Sequence, residues 1–290
     1  MPVLDLAALA AYRAQTYRLN APLRSPEEAA AWLNERRFVY FWPIKDTPLP
    51  SLWAAVAGDR PVADAHDDPG HITWGWKDAA LGKRVWYYAK ILRRKATLIA
   101  PDFAAAFYAL SDNYGDPDED VLLAYRAGRL TLAAKQIYET LLEQGALNTP
   151  ELRRQAHLTG AAAQTEFSRA LEVLQADFKI LPVGVADVGG WHYSFIYDLT
   201  ARHWPDLSEQ ARALSETEAR RRLLAAYFAS VGAARLSEVQ RLFGWPAPLT
   251  RRAVDGLLNA GQLSAGWTLA GQAGEWLALP LFGNFSPPPA

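Results

Sequence analysis

Two stretches of the sequence repeat each other, and this repeat constrains the fold more than any other feature. The first begins near Leu141 and the second near Phe228, and Gly145 aligns with Gly232 at an offset of 87 residues. A chain that repeats one pattern over this length is expected to form the same supersecondary unit twice.

Each copy is predicted to contain three helices followed by a hairpin. In the first copy an amphipathic helix stops at Gly145, and Thr149-Pro150 supplies an N-cap and a proline at N1 for a short second helix. A third helix is predicted from about Ala162 to Asp177, and two strand-like runs follow around the turn "DVGG". Helix, short helix, helix and hairpin is the order of a winged helix-turn-helix.

The N-terminal part indicates a third unit with connecting helices. "LAALAAYRAQTYRL", "SPEEAAAWLNER" and "LPSLWAAVAG" are typical of helices, whereas "HITWGWKD" is expected to be extended. The predicted fold class is therefore mainly α with small β-wings, in tandem winged helix-turn-helix units. We place the units at residues 1–128, 129–205 and 206–290, with a frayed end at "SPPPA".

A basic stretch, "ALGKRVWYYAKILRRKATLI", is predicted to form an amphipathic helix with Leu81, Val85, Tyr88 and Leu92 on its apolar side. From residue 77 to residue 95 there are seven Lys or Arg and one acid, although the net charge of the whole chain is only −1. A patch of this kind attracts polyanions. Two other readings stay open: a solvated surface face, or pairing with the acidic segment "SDNYGDPDED".

Outward positions on the predicted third helices are the second source of DNA contacts, since groove-reading residues project there. Together with the basic stretch they give the candidate DNA-binding residues Lys83, Arg84, Tyr87, Lys90, Arg93, Arg94, Gln164, Arg169, Arg251 and Arg252.

Composition removes several other classes of function. The chain has no cysteine, which excludes disulfides and thiolate metal sites, and no apolar run is long enough to span a membrane. No phosphate-binding loop or dinucleotide fingerprint is present, and the Pro-Gly within "HDDPGH" favours a solvated turn over a metal site. We therefore expect no cofactor, no metal and no membrane partner, and a cytoplasmic location that is nucleoid-associated if the source is bacterial.

The repeated pattern, with "LAAYRAQTYRL", "LPSLWAAVAG" and "ARRRLLAAYFASVGAARLSEVQRLFG", resembles the winged-helix DNA glycosylases of the AlkZ and YcaQ type. The resemblance implies three winged-helix modules around a DNA channel. It also implies excision of alkylated or crosslinked bases without a metal.

The sequence departs from that family at its catalytic pair. Active members carry Gln-x-Gln or Gln-x-Asp, often followed by Pro-Ile, and matching the Pro-Ile of "RRFVYFWPIKD" places the pair at Tyr40 and Trp42. Sliding the match by one residue gives Val39 and Phe41, so neither register supplies a carboxylate or carboxamide. Hydrolysis of a glycosidic bond needs such a group to orient water. The segment is expected to be a buried strand or an aromatic wall against which a base stacks.

The sequence therefore predicts a DNA-binding protein, plausibly in DNA repair or damage recognition, without the known catalytic pair. One alternative is an active DNA glycosylase with relocated catalytic residues. The other is a winged-helix regulatory or protein-interaction module.

Overall fold

The computed structural model describes residues 2–161, 163–189 and 192–284. The tail predicted to fray, the glycine at 190 in the predicted hairpin turn and the alanine at 162 lie outside the described residues. The helices are α1 (Leu6–Thr16), α2 (Pro26–Arg36), α3 (Leu52–Ala57), α4 (Ile72–Ala80), α5 (Ala104–Tyr108), α6 (Pro117–Arg126), α7 (Leu132–Gln144), α8 (Thr149–Gln155), α9 (Ala163–Ala176), α10 (Thr200–His203), α11 (Leu207–Arg212), α12 (Glu216–Val231), α13 (Leu236–Phe243) and α14 (Ala247–Asn259).

The strands are β1 (Val3–Leu4), β2 (Phe38–Tyr40), β3 (Tyr87–Lys90), β4 (Ala96–Ile99), β5 (Leu147–Asn148), β6 (Ile180–Ala186), β7 (Ser194–Leu199), β8 (Ala233–Arg235), β9 (Ser264–Leu269) and β10 (Gln272–Ala278). Helix makes up about 52% and strand about 16% of the chain. The protein is therefore mixed α/β, with helix predominating as predicted. No helix in the described ranges is long and apolar enough to cross a bilayer.

The chain divides into two compact units. The split unit combines Met1–Thr73 with Glu216–Ala290, and the central unit spans Trp74–Ser215. The division into modules at 1–128, 129–205 and 206–290 remains a prediction.

Both units contain the same local topology. In the central unit β5 follows α7 and pairs with β7, which also pairs with β6. In the split unit β8 follows α12 and pairs with β10, which also pairs with β9. Gly145 and Gly232 follow α7 and α12 with φ values of 79° and 76°, a left-handed conformation that favours glycine. The sequence repeat is therefore a repeat of structure.

The core of the central unit lies between its helices and one face of β6 and β7. Phe167, Leu171 and Leu174, predicted to face inward from α9, are all part of this core. The short helix α8 is confirmed, but its N-cap is Asn148 rather than the predicted Thr149. The Asn148 side chain accepts a hydrogen bond from the Glu151 N–H at 3.0 Å.

The basic stretch forms a hairpin, so the prediction of an amphipathic helix is wrong. Strand β3 pairs antiparallel with β4, and both are largely buried. Gly82 has a φ of 72°, which lies outside the helical region, so no helix runs through this point. A Cβ there would meet the Val183 carbonyl oxygen at 2.8 Å, so the position also favours glycine. The aromatic run at 86–88 favours a strand. Apolar residues at helical spacing are also found in strands that are buried on both faces, which explains the error.

The segment "HITWGWKD" is helical, so the prediction of an extended segment is also wrong. The Asp68 carboxylate accepts a hydrogen bond from the Gly70 N–H at 2.8 Å and caps a short 3₁₀ turn that leads into α4. Thr73, Trp76 and Lys77 are buried at spacings of three and four residues, which is the period of a helix.

In the split unit, α1 and α2 close the C-terminal end of α12. The Arg13 guanidinium donates to the carbonyl oxygens of Val231 and Ala233, each at 2.9 Å, and Arg36 donates to Ala229 at 2.9 Å. The bonds to Ala229 and Val231 satisfy carbonyl groups that the end of α12 leaves without partners, and the bond to Ala233 reaches the start of β8. Arg36, from the segment "RRFVYFWPIKD", is thus part of the fold. Helices α1, α2 and α3 are confirmed, and Ser25 caps α2 as predicted.

Candidate nucleic-acid interface

The first half of the segment "FVYFWPI" is core. Strand β2 is fully buried, and Tyr40 has 0% exposure. The Tyr40 N–H donates to the Pro50 carbonyl oxygen at 2.9 Å, and the Phe41 carbonyl oxygen accepts from the Trp53 N–H at 3.0 Å. The first of the two motif-equivalent side chains is therefore placed for packing and cannot reach a substrate without local unfolding.

Trp42, the second motif-equivalent residue, is only partly buried and belongs to an aromatic cluster. Its ring centroid lies 4.9 Å from Phe41, 6.3 Å from Trp53 and 5.9 Å from the His71 imidazole, which it meets edge-on. Sequence spacing did not predict the His71 contact. Nothing in the local sequence of "HDDPGH" places it beside Trp42.

The polar groups around this cluster already have partners. The Arg60 guanidinium lies 4.8 Å from the Trp53 ring centroid and pairs with Asp68 at 2.6 Å. That hydrogen bond, followed by the one from the Gly70 N–H, lowers the pKa of Asp68. The His71 Nε2 lies 3.0 Å from the Ala63 carbonyl oxygen. These contacts hold the loop that carries Asp68 and His71 in place.

The central unit carries most of the candidate DNA-binding residues. Lys83 and Arg84 are exposed in the turn between α4 and β3, where the Arg84 guanidinium lies 6.0 Å from the Trp204 ring centroid. Arg93 and Arg94 are exposed in the turn between β3 and β4, and both have positive φ, at 53° and 55°. The turns that flank β3, rather than a helix face, present these cations.

The hairpin is tied to α9 through Lys90. The Lys90 Nζ pairs with the Glu172 carboxylate at 2.8 Å, and the Lys90 N–H donates to the Gln175 Oε1 at 3.2 Å. The ion pair is partly exposed, so it fixes position more than it adds stability.

The outward face of α9 is polar, as predicted. Gln164, Thr165, Ser168 and Arg169 are exposed. Glu172 follows Arg169 by three residues, so the two lie on the same side of the helix. Because Lys90 contacts Glu172, the basic hairpin turn adjoins the polar face of α9 within one unit.

Tyr87 of the basic stretch and Lys77, which was counted with its charges, lie inside the protein, which corrects the expectation for them. Tyr87 has 0% exposure, stacks on Phe178 with ring centroids 4.7 Å apart, and shares a hydrogen bond of 3.2 Å with the Thr200 hydroxyl. Burial raises its pKa. Tyr87 therefore cannot contact DNA directly. Lys77 is also buried, bonded to Asp78 at 2.5 Å and to the Tyr193 hydroxyl at 2.8 Å, and burial lowers its pKa.

The remaining candidates, Arg251 and Arg252, are exposed in the first half of α14, in the split unit. Thr250, which precedes them in α14, is fully buried, and its hydroxyl donates to carbonyl oxygens of the preceding turn.

The acidic segment has structural roles of its own. The Asp116 side chain caps α6, and the Asp120 carboxylate accepts from the N–H groups of Tyr114 and Gly115 at 2.8 and 2.9 Å. Asp112 pairs with Arg129 at 3.2 Å. These contacts hold the loop before α6. Asp116 and Asp120 are therefore not the residues that would pair the acidic segment with the basic turns.

Comparison with known proteins identifies the family. The family model described as AlkZ related matches residues 23–244, and the protein belongs to this family. The structure is similar to that of the Streptomyces sahachiroi DNA glycosylase AlkZ, with a TM-score of 0.58 and 14% sequence identity over 99% of this chain and 74% of that one. At this identity the likeness shows a shared fold. No curated protein matches the sequence.

Proposed function

We propose that this protein binds duplex DNA and acts in the recognition of damaged DNA, without the catalytic pair of the active glycosylases. One observation carries the proposal: the cationic turn of the β3–β4 hairpin adjoins the outward polar face of α9, and the Lys90–Glu172 ion pair joins them. Cations beside an outward-facing helix are the combination that winged-helix proteins use to hold phosphates and reach a groove. Membership of the AlkZ-related family and the fold shared with a DNA glycosylase support the same reading.

The proposed architecture is a tandem of winged-helix modules at residues 1–128, 129–205 and 206–290. The repeated order of helix, short strand, short helix, helix and hairpin supports two of them. In each copy the third helix, α9 or α14, would enter a groove and the hairpin would act as the wing.

Proposed phosphate and base contacts are the exposed members of the predicted set together with the partly buried Lys90: Lys83, Arg84, Lys90, Arg93, Arg94, Gln164, Arg169, Arg251 and Arg252. Tyr87 keeps a supporting role, because its buried ring packs β3 against Phe178.

The experiment that tests the proposal is a titration of labelled duplex, single-strand and lesion-bearing oligonucleotides at two ionic strengths. We expect submicromolar to micromolar binding of duplex that weakens as salt rises, and tighter binding when a lesion is present. Absence of duplex binding at low salt, or affinity that does not depend on salt, would favour the protein-interaction alternative.

Glycosylase activity is the second candidate function, and the contact between Trp42 and His71 favours it, because an imidazole lies beside the motif-equivalent position. Incubation with alkylated or crosslinked duplex, followed by a search for abasic sites, tests it. We expect no more abasic sites than in the same duplex incubated with buffer alone. Abasic sites that depend on the protein and disappear in His71→Ala would establish an enzyme with relocated catalytic residues.

A further inference from the structure

A cavity of about 400 Å³ opens beside the polar face of α9 in the central unit. Arg129 and Thr131, which precede α7, form one side of it, and Thr165, Glu166 and Arg169 of α9 form the other. We call it the α7–α9 pocket. Arg129 attracted no notice in the sequence, because it lies in a short connection outside the basic stretch.

We propose that the α7–α9 pocket binds a phosphodiester of a nucleic-acid backbone, held between the guanidinium groups of Arg129 and Arg169. The inference rests on the proposed DNA-binding function and assigns a specific contact to the same surface.

The charges on the pocket wall favour an anion. Arg129 and Arg169 contribute two positive charges and Glu166 one negative charge. Among the described residues, no carboxylate pairs with Arg169, whose side chain is exposed at the pocket. Arginine presents its N–H groups in a planar fork that matches phosphate oxygens, so two arginines facing one cavity make a suitable phosphate clamp.

The ion pair between Arg129 and Asp112 leaves part of the guanidinium available. The contact runs through the Arg129 Nε at 3.2 Å, and the two side chains are 47% and 66% exposed. Water screens such a pair strongly, and the terminal nitrogens still have N–H groups to donate. A phosphate can therefore bind Arg129 without first breaking a strong internal interaction.

Two hydroxyl groups add neutral donors to the pocket. The Thr131 Oγ1 accepts a hydrogen bond from the Ala134 N–H at 3.2 Å, which leaves its own O–H to donate, and Thr165 lies on the opposite wall. Hydroxyl groups commonly contact backbone phosphates in this way. Ala170 and Val173 give the pocket an apolar side against which a sugar can pack. A cavity of this volume is larger than a phosphate group, which suits a phosphodiester with its sugar better than a free ion.

The first experiment compares Arg129→Gln, Arg169→Gln and the double variant with Arg126→Gln, an exposed arginine in the last turn of α6. Duplex binding is measured over a series of salt concentrations. Because both arginines hold one phosphate, each single variant should keep most of the salt dependence, whereas the double variant should lose about one unit of slope. The control should keep the full slope. A fall of about two units that is additive over the singles would overturn the shared site. An unchanged slope in the double variant would overturn it as well.

The second experiment needs no DNA. Inorganic phosphate is titrated into the folded protein while NMR follows the arginine Nε–H signals. The signals of Arg129 and Arg169 should move together along one binding curve, and the signal of Arg126 should not move. Circular dichroism of the double variant should show that the fold is kept. Equal movement of all three signals would mean non-specific ion binding and would overturn the pocket.

The two experiments separate the pocket from the proposed function. If duplex does not bind but phosphate moves the Arg129 and Arg169 signals together, DNA binding fails and the pocket stands as an anion site. If duplex binds with the full slope in the double variant and phosphate moves neither signal, the pocket fails and DNA binding stands.

Discussion

Replacing Arg93 and Arg94 by glycine should weaken DNA binding without weakening the fold. Both residues have positive φ, at 53° and 55°, in the turn of the β3–β4 hairpin. A residue with a Cβ pays roughly 1–2 kcal/mol for this conformation, and glycine does not. Glycine instead raises the entropy of the unfolded chain, at a cost of roughly 0.5–1 kcal/mol per site. The two effects nearly cancel, so the free energy of unfolding should change by less than about 1 kcal/mol per residue.

The effect on binding should be much larger. If each arginine neutralises one phosphate, the double variant loses about 1.8 units from the slope of log K against log salt. Raising the salt concentration from about 50 to 200 mM lowers the affinity of both proteins for duplex. The factor by which it lowers the affinity of the double variant should be roughly ten times smaller than the factor for the wild type. Fluorescence anisotropy of a labelled duplex measures the slope, and urea denaturation measures the stability.

His157→Gly is the matched control, because His157 is also exposed, has a φ of 57° and belongs to the same unit. It should keep the wild-type salt slope. The reasoning would be refuted by a double glycine variant that binds duplex with the wild-type slope. It would also be refuted by one that unfolds at a much lower urea concentration, since the left-handed conformation would then not be the dominant factor at these sites.

Three further predictions concern buried and charged groups. Tyr87→Phe removes the hydroxyl that shares a hydrogen bond with Thr200, so the free energy of unfolding should fall by about 1 kcal/mol. Duplex affinity should stay the same, and a loss of affinity would mean that Tyr87 does contact DNA. Tyr40→Gln places a polar group in a fully buried position and should destabilise the protein by about 3 kcal/mol or more, measured by urea denaturation. A variant as stable as the wild type would contradict the placement of β2 in the core. Arg221 and Arg222 lower the pKa of Glu218 from 4.5 to about 2, so this carboxylate stabilises the fold above its ordinary pKa, and the contribution is lost as pH falls from about 4.5 to about 2. Glu218→Gln should therefore cost less than about 1 kcal/mol at pH 7, because the pair is partly exposed, and the cost should shrink steadily as pH falls from about 4.5 towards 2. A cost that stays constant over this range would exclude this origin.

The parts of the fold that local chemistry determines were predictable from the sequence. Ser25 before Pro26 specified the start of α2, and glycine at 145 and 232 specified the ends of α7 and α12. The repeat also predicted the matching sheet topologies, because it recorded the same sequence of helix ends and turns twice.

The hairpin at 80–99 was not predictable in the same way, because apolar residues at helical spacing are also compatible with a strand buried on both faces. Its buried state depends on packing against α9 and Phe178, which are far away in the sequence. The neighbourhood of the motif-equivalent residues was missed for a similar reason. The contact between Trp42 and His71 joins residues that no helical or strand period relates.

The arrangement around Trp42 argues for binding without excision. Tyr40 is enclosed in the core, so the first motif-equivalent position serves packing in this protein. Of the polar groups nearby, the Asp68 carboxylate pairs with Arg60, and the His71 Nε2 contacts the Ala63 carbonyl oxygen. Both are engaged in holding their own loop, whereas glycosidic hydrolysis needs a group that can orient water at the sugar. The exposed cations of the β3–β4 turn and α9 belong to the central unit and do not depend on the motif-equivalent position. The surface that we propose contacts DNA therefore does not depend on the side chains at Tyr40 and Trp42.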